Sequence, residues 1–156
     1  MTDAGESPHG TRDLGAALVG SWHLVRWEIA YPVTGRVSTP FGDDAAGLIV
    51  YAADGHMSVV LRRRERLADR GAGAPALSGI DQAFCFSSYM HYAGRWHVEG
   101  SEVVHAIEHA LHPDLVGTRQ RRRVQLRGDE LELTGDERID AAGSLRAHRV
   151  SWRRAR

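Results

Sequence analysis

The sequence has little cysteine and no excess of charge of either sign. Its 156 residues include one cysteine, Cys85, which excludes an intramolecular disulfide and a metal site built only from cysteines. Lysine plus arginine and aspartate plus glutamate each total 20, so no net field steers the chain toward nucleic acid or anionic lipid. We therefore expect neither nucleic acid nor a membrane as a partner.

Long apolar runs are also missing. None approaches the ~20 residues that a membrane-spanning helix needs, and the opening stretch MTDAGESPHGTRD lacks the basic and apolar regions of a signal peptide. A cytoplasmic protein is the default expectation. Residues 1–12 are polar and rich in turn formers, which is typical of a frayed tail, and residues 13–156 are interpreted as one domain with a sizeable core.

What is present is a series of segments with the two-residue periodicity of β-strands. Residues 21–31 form the first such segment. One predicted face of this strand carries Val25, Trp27 and Ile29. The other carries Trp22, Leu24 and Arg26.

Residues 47–63 are predicted to form a hairpin. Asp54-Gly55 suits a two-residue turn in which both central residues take positive φ. Pairing Ala53 with His56 then gives one apolar, inward face, made of Leu48, Val50, Ala52, Met57, Val59 and Leu61.

The next stretch, residues 62–77, follows no period and is rich in arginine, glycine and alanine. We interpret it as an exposed, mobile loop that could act as a lid. Ser78 with Asp81 three residues later resembles a capping box and predicts a short helix over residues 79–90.

A second hairpin is predicted over residues 92–109, with Gly100-Ser101 as its turn. This pairing sets Trp96 against His105 and Tyr92 against His109. The inward face then carries Tyr92, Gly94, Trp96, Val98, Val103, His105, Ile107 and His109, extended by Leu111. A slip of one residue would turn all of them outward.

A third hairpin over residues 121–135 turns at Gly128-Asp129, and its parity points Arg122 inward. Residues 144–154 form a final alternating strand. Eight or more strands with one short helix predict an all-β fold, as an antiparallel up-and-down barrel or a sandwich.

Several segments together resemble the bacterial and fungal lipocalin-like domain proteins. Gly-Ser-Trp at residues 20–22 is similar to the Gly-x-Trp signature of lipocalins. It is followed in order by PFGDDAAGLIVYAADGHMSV, YAGRWHVEG, VVHAIEHALHP, GTRQRR, GDELEL and WRR. The resemblance spans about residues 18–154 and implies a single antiparallel β-barrel of eight to ten strands that holds a small apolar molecule. It assigns the motif histidine to His105 and the motif arginine to Arg122, while His109 and His112 depart from the pattern.

An apolar wall with a few polar side chains is typical of a small-molecule pocket. The predicted ligand-binding residues are Trp96, His109, Met57, Val50, Val59, Ile107 and Leu111. His105, Tyr92 and Arg122 are the candidates for acid–base chemistry, with Arg122 stabilising a developing oxyanion. The alternative for His105 is a core histidine bonded to a neighbour such as Tyr92.

Arg122 has a structural alternative as well. The resemblance to lipocalins implies an inward arginine that stacks on Trp22 and closes one end of the barrel. Arg153 competes for the same position.

Nine histidines raise the question of a metal site. His105 and His109 would lie ~13 Å apart along one strand, which is too far for both to bind one zinc. We therefore predict no metal and no cofactor.

Three functions stay open. The first is a binding protein for a small hydrophobic molecule of polyketide or terpenoid type. The second is a cofactor-independent cyclase, isomerase or dehydratase of natural-product biosynthesis. The third is a filled structural barrel that acts through oligomerisation, with a homodimer as one candidate assembly.

Overall fold

A computed structural model describes residues 10–66 and 77–156 of the chain. In chain order the elements are helix α1 (Gly10–Leu18), strands β1 (Gly20–Tyr31), β2 (Arg36–Ser38), β3 (Ala46–Tyr51) and β4 (His56–Arg62), helix α2 (Gly79–Ser87), strands β5 (Tyr89–Glu99) and β6 (Glu102–Ala110), a 3-10 turn (Pro113–Leu115), and strands β7 (Arg119–Arg127), β8 (Glu130–Arg138) and β9 (Leu145–Arg154). None of the helices in these ranges has the length and apolar character needed to span a membrane.

The strands form a closed antiparallel barrel. Each strand from β3 to β8 pairs with the next in the chain, and β1 pairs with both β3 and β9, while the short β2 extends the sheet beside β1. The prediction of an all-β, up-and-down, lipocalin-like barrel is confirmed. Since neighbouring strands are also sequential, the turn lengths largely fix which side chains point inward.

The two ends of the barrel are built differently. Helix α1 and three tight hairpin turns, at residues 53–55, 100–101 and 128–129, lie at one end, which we call the closed end. The strands at the other end, which we call the open end, are joined through residues 32–45, 111–118 and 139–144, and the described parts of the β4–β5 connection, residues 63–66 and 77–88, lie there too. Of the predicted mobile loop at 62–77, residues 67–76 lie outside the described residues, as do residues 1–9 of the predicted tail.

Trp22 and Arg154 close the closed end. The indole Nε1 of the fully buried Trp22 donates a hydrogen bond to the Leu18 carbonyl at 2.9 Å. The Arg154 guanidinium lies over the indole, 4.0 Å from the ring centroid, and donates to the carbonyls of Ala17 and Val19. Stacking and hydrogen bonds together attach the end of α1 to the last strand.

The prediction that Arg122 or Arg153 would stack on Trp22 is wrong. Across the β1–β9 pair, Trp22 lies opposite Arg154, so these two share a face, whereas Arg153 lies opposite His23 and is exposed. Arg122 lies on β7 and bonds elsewhere, as described below. Only closure of the barrel by β9 brings the stacking arginine to Trp22.

A β-bulge in β1 changes the predicted facing of that strand. The register against β9 shifts between Leu24 and Arg26, and the extra residue, Val25, is 49% exposed. Because a bulge reverses the alternation, Trp22 before it and Ile29 after it are both buried. The assignment of Trp22 and Ile29 to opposite faces is therefore corrected.

The β3–β4 hairpin has a three-residue loop and not a two-residue turn. Gly55 has a φ of 89°, while no other type of residue in the described chain takes positive φ, so Asp54 does not adopt the conformation that the predicted turn needs. The Ala52 N–H donates to the His56 carbonyl across the loop. A glycine in the left-handed region at the last position is typical of three-residue hairpin loops.

The longer loop shifts β3 by one residue. Tyr51 pairs with Met57 and Ile49 with Val59, so Tyr51 and Ile49 are buried in place of the predicted Val50 and Leu48. The inward positions predicted on β4, namely Met57, Val59 and Leu61, are confirmed.

The β5–β6 hairpin confirms most of its predicted register. Gly100 has a φ of 61° at the first turn position, and Glu99–Glu102, Trp96–His105 and Gly94–Ile107 pair as predicted.

Beyond Gly94 a bulge changes the pairing. Tyr92 pairs with Ala110 and Ala93 with His109, so His109 is exposed and not inward. A Cβ on Gly94 would lie 2.0 Å from the Ala106 carbonyl oxygen, which shows how closely the bulged strand crosses this glycine. The bulged strand can therefore pass this close only because residue 94 is a glycine and has no Cβ.

The β7–β8 hairpin and helix α2 match their predictions. Leu126 pairs with Leu131 across the Gly128-Asp129 turn, and side chains of β7 alternate between exposed and half-buried so that Arg122 points inward. Ser78 caps α2 by accepting from the Asp81 N–H, and the helix ends at Ser87, slightly before the predicted limit.

Candidate functional site

The interior of the barrel holds a cavity of about 200 Å³ in the half nearer its open end, where it opens to solvent. Six strands and the 3-10 turn supply its apolar wall, through Trp27, Ile49, Val59, Leu61, Met90, Leu115, Leu133, Val150 and Trp152. Because the side chains on the strands lie at alternating positions of antiparallel strands, they face the barrel axis together.

A larger groove, of about 580 Å³, lies on the outer surface over β7, β8 and β9. Charged side chains that point to solvent, such as Arg121, Arg123 and Arg149, form much of its lining. Charged side chains in contact with water are typical of the solvent-exposed face of a β-sheet. The internal cavity is therefore the better candidate for a ligand site.

His105 sits between two tyrosines on the cavity wall. The Tyr51 hydroxyl lies 2.8 Å from Nε2 of His105, and the Tyr92 hydroxyl lies 2.9 Å from Nδ1. His105 is 1% exposed, and both tyrosines are buried. Both ring nitrogens therefore have partners, and the imidazole is held in one orientation.

Burial keeps all three groups uncharged. Loss of solvation, helped by the positive charge of Arg122, lowers the pKa of His105 to about 3. The same loss of solvation raises the pKa values of Tyr51 and Tyr92 above that of a free phenol, although Arg122 opposes the increase. At neutral pH the cluster is thus one neutral imidazole and two neutral phenols.

Arg122 brings a positive charge to the cavity. Its Nη1 donates to the Arg121 carbonyl at 2.9 Å, and its Nη2 donates to Oε1 of Gln120 at 3.0 Å. The side chain crosses β8 at Gly135, where an added Cβ would lie 2.8 Å from Nη1. Among the described residues, no carboxylate lies within ion-pair distance of this guanidinium.

A second charged cluster lines the cavity beside Arg122. Glu137 accepts from Arg146 at 2.7 Å and lies 3.1 Å from Nε2 of His148. The Trp27 indole donates to Nδ1 of His148 at 3.3 Å, which leaves Nε2 to carry the proton and donate to Glu137. One oxygen of Glu137, Oε2, thus accepts from both of these neighbours.

The structure brings four of the predicted site residues together. Tyr92, His105, Arg122 and Val59 line the cavity. Met57 and Ile107 are buried in the core outside the cavity lining. Trp96 packs on Tyr51 and donates to the Ala52 carbonyl near the closed end.

Three predicted ligand-binding residues lie away from the cavity. Val50 points outward because of the three-residue loop, and His109 is exposed because of the bulge opposite Gly94. Leu111 lies beyond the end of β6, where its backbone N–H donates to the His91 carbonyl. These placements correct the corresponding predictions of an inward position.

Tyr51 is the main site residue that sequence analysis missed. Both alternating sets in β3 are apolar, so periodicity could not choose between Tyr51 and Val50, and the loop length decides the register. The wall from β8 and β9 was missed in part, since Trp152 and His148 reach the cavity only through barrel closure.

Within the described part of the chain, no group of three His, Cys, Asp or Glu side chains is arranged to hold a metal ion. His105 in particular has both of its nitrogens engaged by phenols.

A closed antiparallel barrel with a small, partly apolar cavity is the architecture of the lipocalin class of β-barrels. The chain belongs to the lipocalin-like domain family, whose model matches residues 19–155. It is also similar to the 4'-hydroxy-3'-methoxypropiophenone carrier protein ppsC of Aspergillus oryzae, with 33% identity over 92 residues that cover 53% of this chain and 83% of the relative. The family resemblance inferred from the sequence is confirmed.

Proposed function

We propose that this protein binds and carries a small, mostly apolar molecule about the size of one substituted ring. The observation that carries the proposal is the internal cavity, whose apolar wall is interrupted by Tyr92, His105 and Arg122. Such a wall binds by excluding water, while a few polar groups orient the ligand.

Size supports the choice of ligand class. A cavity of about 200 Å³ equals the liquid volume of about seven waters at ~30 Å³ each, and it is smaller than the ~300–1,000 Å³ of typical ligand pockets. It therefore favours a single-ring aromatic product over a multi-ring polyketide or terpenoid. The name of the fungal relative, a carrier of a propiophenone, supports a phenyl ketone.

Carriage is favoured over acid–base catalysis by the state of His105. A general base works best with a pKa near the working pH, whereas burial lowers the pKa of His105 to about 3 and both nitrogens already have partners. The cavity itself argues against the third function, a barrel filled by its own side chains.

The direct test is binding of 4'-hydroxy-3'-methoxypropiophenone, followed by tryptophan fluorescence because Trp27 and Trp152 line the cavity. Val59→Phe adds a ring inside the cavity and is expected to weaken binding at least tenfold. Val60→Phe is the matched control, since Val60 is the next residue of β4 and points to the other face.

Saturable binding that Val59→Phe weakens and Val60→Phe leaves unchanged would support the proposal, provided that circular dichroism shows all three proteins folded. Equal binding by the two variants would place the ligand outside the cavity and contradict it. Native mass spectrometry of protein purified from its own host adds an unbiased search for the natural ligand.

A further inference from the structure

The Tyr51–His105–Tyr92 cluster has one more donor hydrogen than the hydrogen bonds within the cluster require. A neutral imidazole has one N–H donor and one acceptor nitrogen, and each phenol contributes one O–H. The cluster therefore has three donor hydrogens, but only two hydrogen bonds join its members, one at each ring nitrogen. One phenol must accept from the imidazole N–H, and the hydrogen of that phenol is left over.

The surroundings decide which phenol that is. Tyr51 is fully buried in the core, does not line the cavity, and within the described residues its hydroxyl bonds only His105. A leftover hydrogen there would have no acceptor, a loss that favours the other arrangement. Tyr92 lines the cavity, where water or a ligand can accept. Hence Tyr51 donates to Nε2, Nδ1–H donates to Tyr92, and the Tyr92 O–H points into the cavity.

Two further donors in the cavity lining, Arg122 and Trp152, have spare hydrogen-bonding capacity. Arg122 uses two of its five N–H groups on Arg121 and Gln120. The Trp152 indole N–H is buried without a partner in the described chain, and its side chain lines the cavity. The amide oxygen of Gln120 accepts from Arg122, and Oε2 of Glu137 accepts from both Arg146 and His148. Tyr92, Arg122 and Trp152 thus offer hydrogens to a ligand acceptor, while the carboxylate of Glu137 adds an acceptor of its own to the cavity lining.

We propose that the cavity selects an uncharged ligand by its carbonyl oxygen, which accepts the Tyr92 hydroxyl hydrogen, and that His105 is the Nδ1–H tautomer that positions this hydroxyl. The inference rests on the proposed carrier function and adds the recognised group. A protonated amine has no lone pair with which to accept the Tyr92 hydroxyl hydrogen, so it would not be recognised in this way.

The experiment uses two probes of nearly equal shape, propiophenone and propylbenzene, which differ by a carbonyl against a methylene. Binding of both is measured to the wild-type protein, to Tyr92→Phe, and to the control Tyr89→Phe, which lies on the same strand outside the cavity lining. Tyr92→Phe is expected to weaken propiophenone about tenfold and to leave propylbenzene within about twofold. Tyr89→Phe is expected to change neither.

Two measurements on the wild-type protein keep the test decisive if Tyr92→Phe does not fold. Nitrogen-15 NMR of the ligand-free protein should show His105 as the Nδ1–H tautomer. The infrared carbonyl stretch of bound propiophenone should lie at lower frequency than in hexane, as expected for a hydrogen-bonded carbonyl.

The failures are distinguishable. The recognition proposal would be overturned by an Nε2–H tautomer, by an unshifted carbonyl stretch, or by equal weakening of both probes in Tyr92→Phe. In those cases, binding of propylbenzene to the wild-type protein would still support the carrier function. Failure of both probes to bind the wild-type protein would overturn the proposal together with the carrier function.

Discussion

The hydroxyl of Tyr51 lies 2.8 Å from Nε2 of His105, although 54 positions separate the two residues. Tyr51 lies on β3 and His105 on β6, strands that are not neighbours in the sheet. The contact therefore crosses the barrel interior, and with Tyr92 it ties three strands together around one imidazole.

Removal of the Tyr51 hydroxyl should destabilise the fold. Tyr51→Phe leaves Nε2 of His105 buried without a donor, and the free energy of unfolding should fall by about 1–3 kcal/mol. Urea denaturation followed by circular dichroism measures the change. Tyr89→Phe, at a half-buried tyrosine beside Arg66, should stay within about 0.5 kcal/mol of wild type. Equal effects of the two substitutions would contradict the buried hydrogen bond.

Stability should decline in acid because of His105. The pKa is about 3 in the folded protein and ~6.5 in the unfolded chain, so between these values the unfolded state binds one more proton. The contribution of His105 is complete above pH ~6.5 and is lost as the pH falls toward 3, at about 1.4 kcal/mol per pH unit and on the order of 5 kcal/mol in all.

Other groups also titrate in this range, so the measurement needs a matched variant. His105→Gln keeps a donor and an acceptor but cannot titrate, whereas carboxyls with lowered pKa, such as Glu137, and the partly buried His148 are retained. The difference in unfolding free energy between wild type and variant should become smaller as the pH decreases from 6.5. A difference that does not depend on pH would show that His105 titrates normally.

Gly94→Ala should be strongly destabilising. The new Cβ would lie 2.0 Å from the Ala106 carbonyl oxygen and 2.9 Å from the Glu108 nitrogen, both backbone atoms that can move only with the β6 bulge. We expect a loss of about 3 kcal/mol or more in the free energy of unfolding, measured by thermal denaturation. Gly79→Ala is the control, because a Cβ added there would meet no atom within 4 Å apart from its chain neighbours and its own helix backbone. A Gly94→Ala protein as stable as this control would refute the close approach.

Loss of the arginine at the closed end should cost more than loss of its neighbour. Arg154→Ala removes the stacking on Trp22 and the hydrogen bonds to Ala17 and Val19, and should lower stability by about 2 kcal/mol. Arg153→Ala removes an exposed side chain 3.5 Å from Glu130, with an expected effect below about 0.5 kcal/mol. The two variants can be compared in one guanidinium titration series, and similar midpoints would refute the role given to Arg154.

Turn chemistry explains how much of the fold could be predicted. Gly100 and Gly128 each stand first in a two-residue turn with φ near 60°, so the registers Trp96–His105 and Leu126–Leu131 followed from the sequence. Asp54-Gly55 is compatible with two loop lengths, and the longer one moved Tyr51 into the site. The motif histidine was therefore predicted, while one of its two partners was not.

Bulges and closure explain most of the rest. A single inserted residue reverses the alternation, as at Val25 and opposite Gly94, and nothing local in the apolar pattern marks the first of these. The stacking of Arg154 on Trp22 depends on the meeting of β1 and β9, which are the most distant strands in the chain. Contacts of that kind follow from the complete topology and not from any one segment.

The pairing of β1 with β9 has a consequence for synthesis of the chain. Until the last strand has left the ribosome, β1 and β8 each have an unpaired edge, and the nascent sheet can bind other chains through both. Loop closure over almost the whole polypeptide must then precede the final pairing, which is a slow step for proteins dominated by non-local contacts. A chain cut short before Leu145 would keep both edges open, and aggregation rather than a smaller barrel is the expected fate.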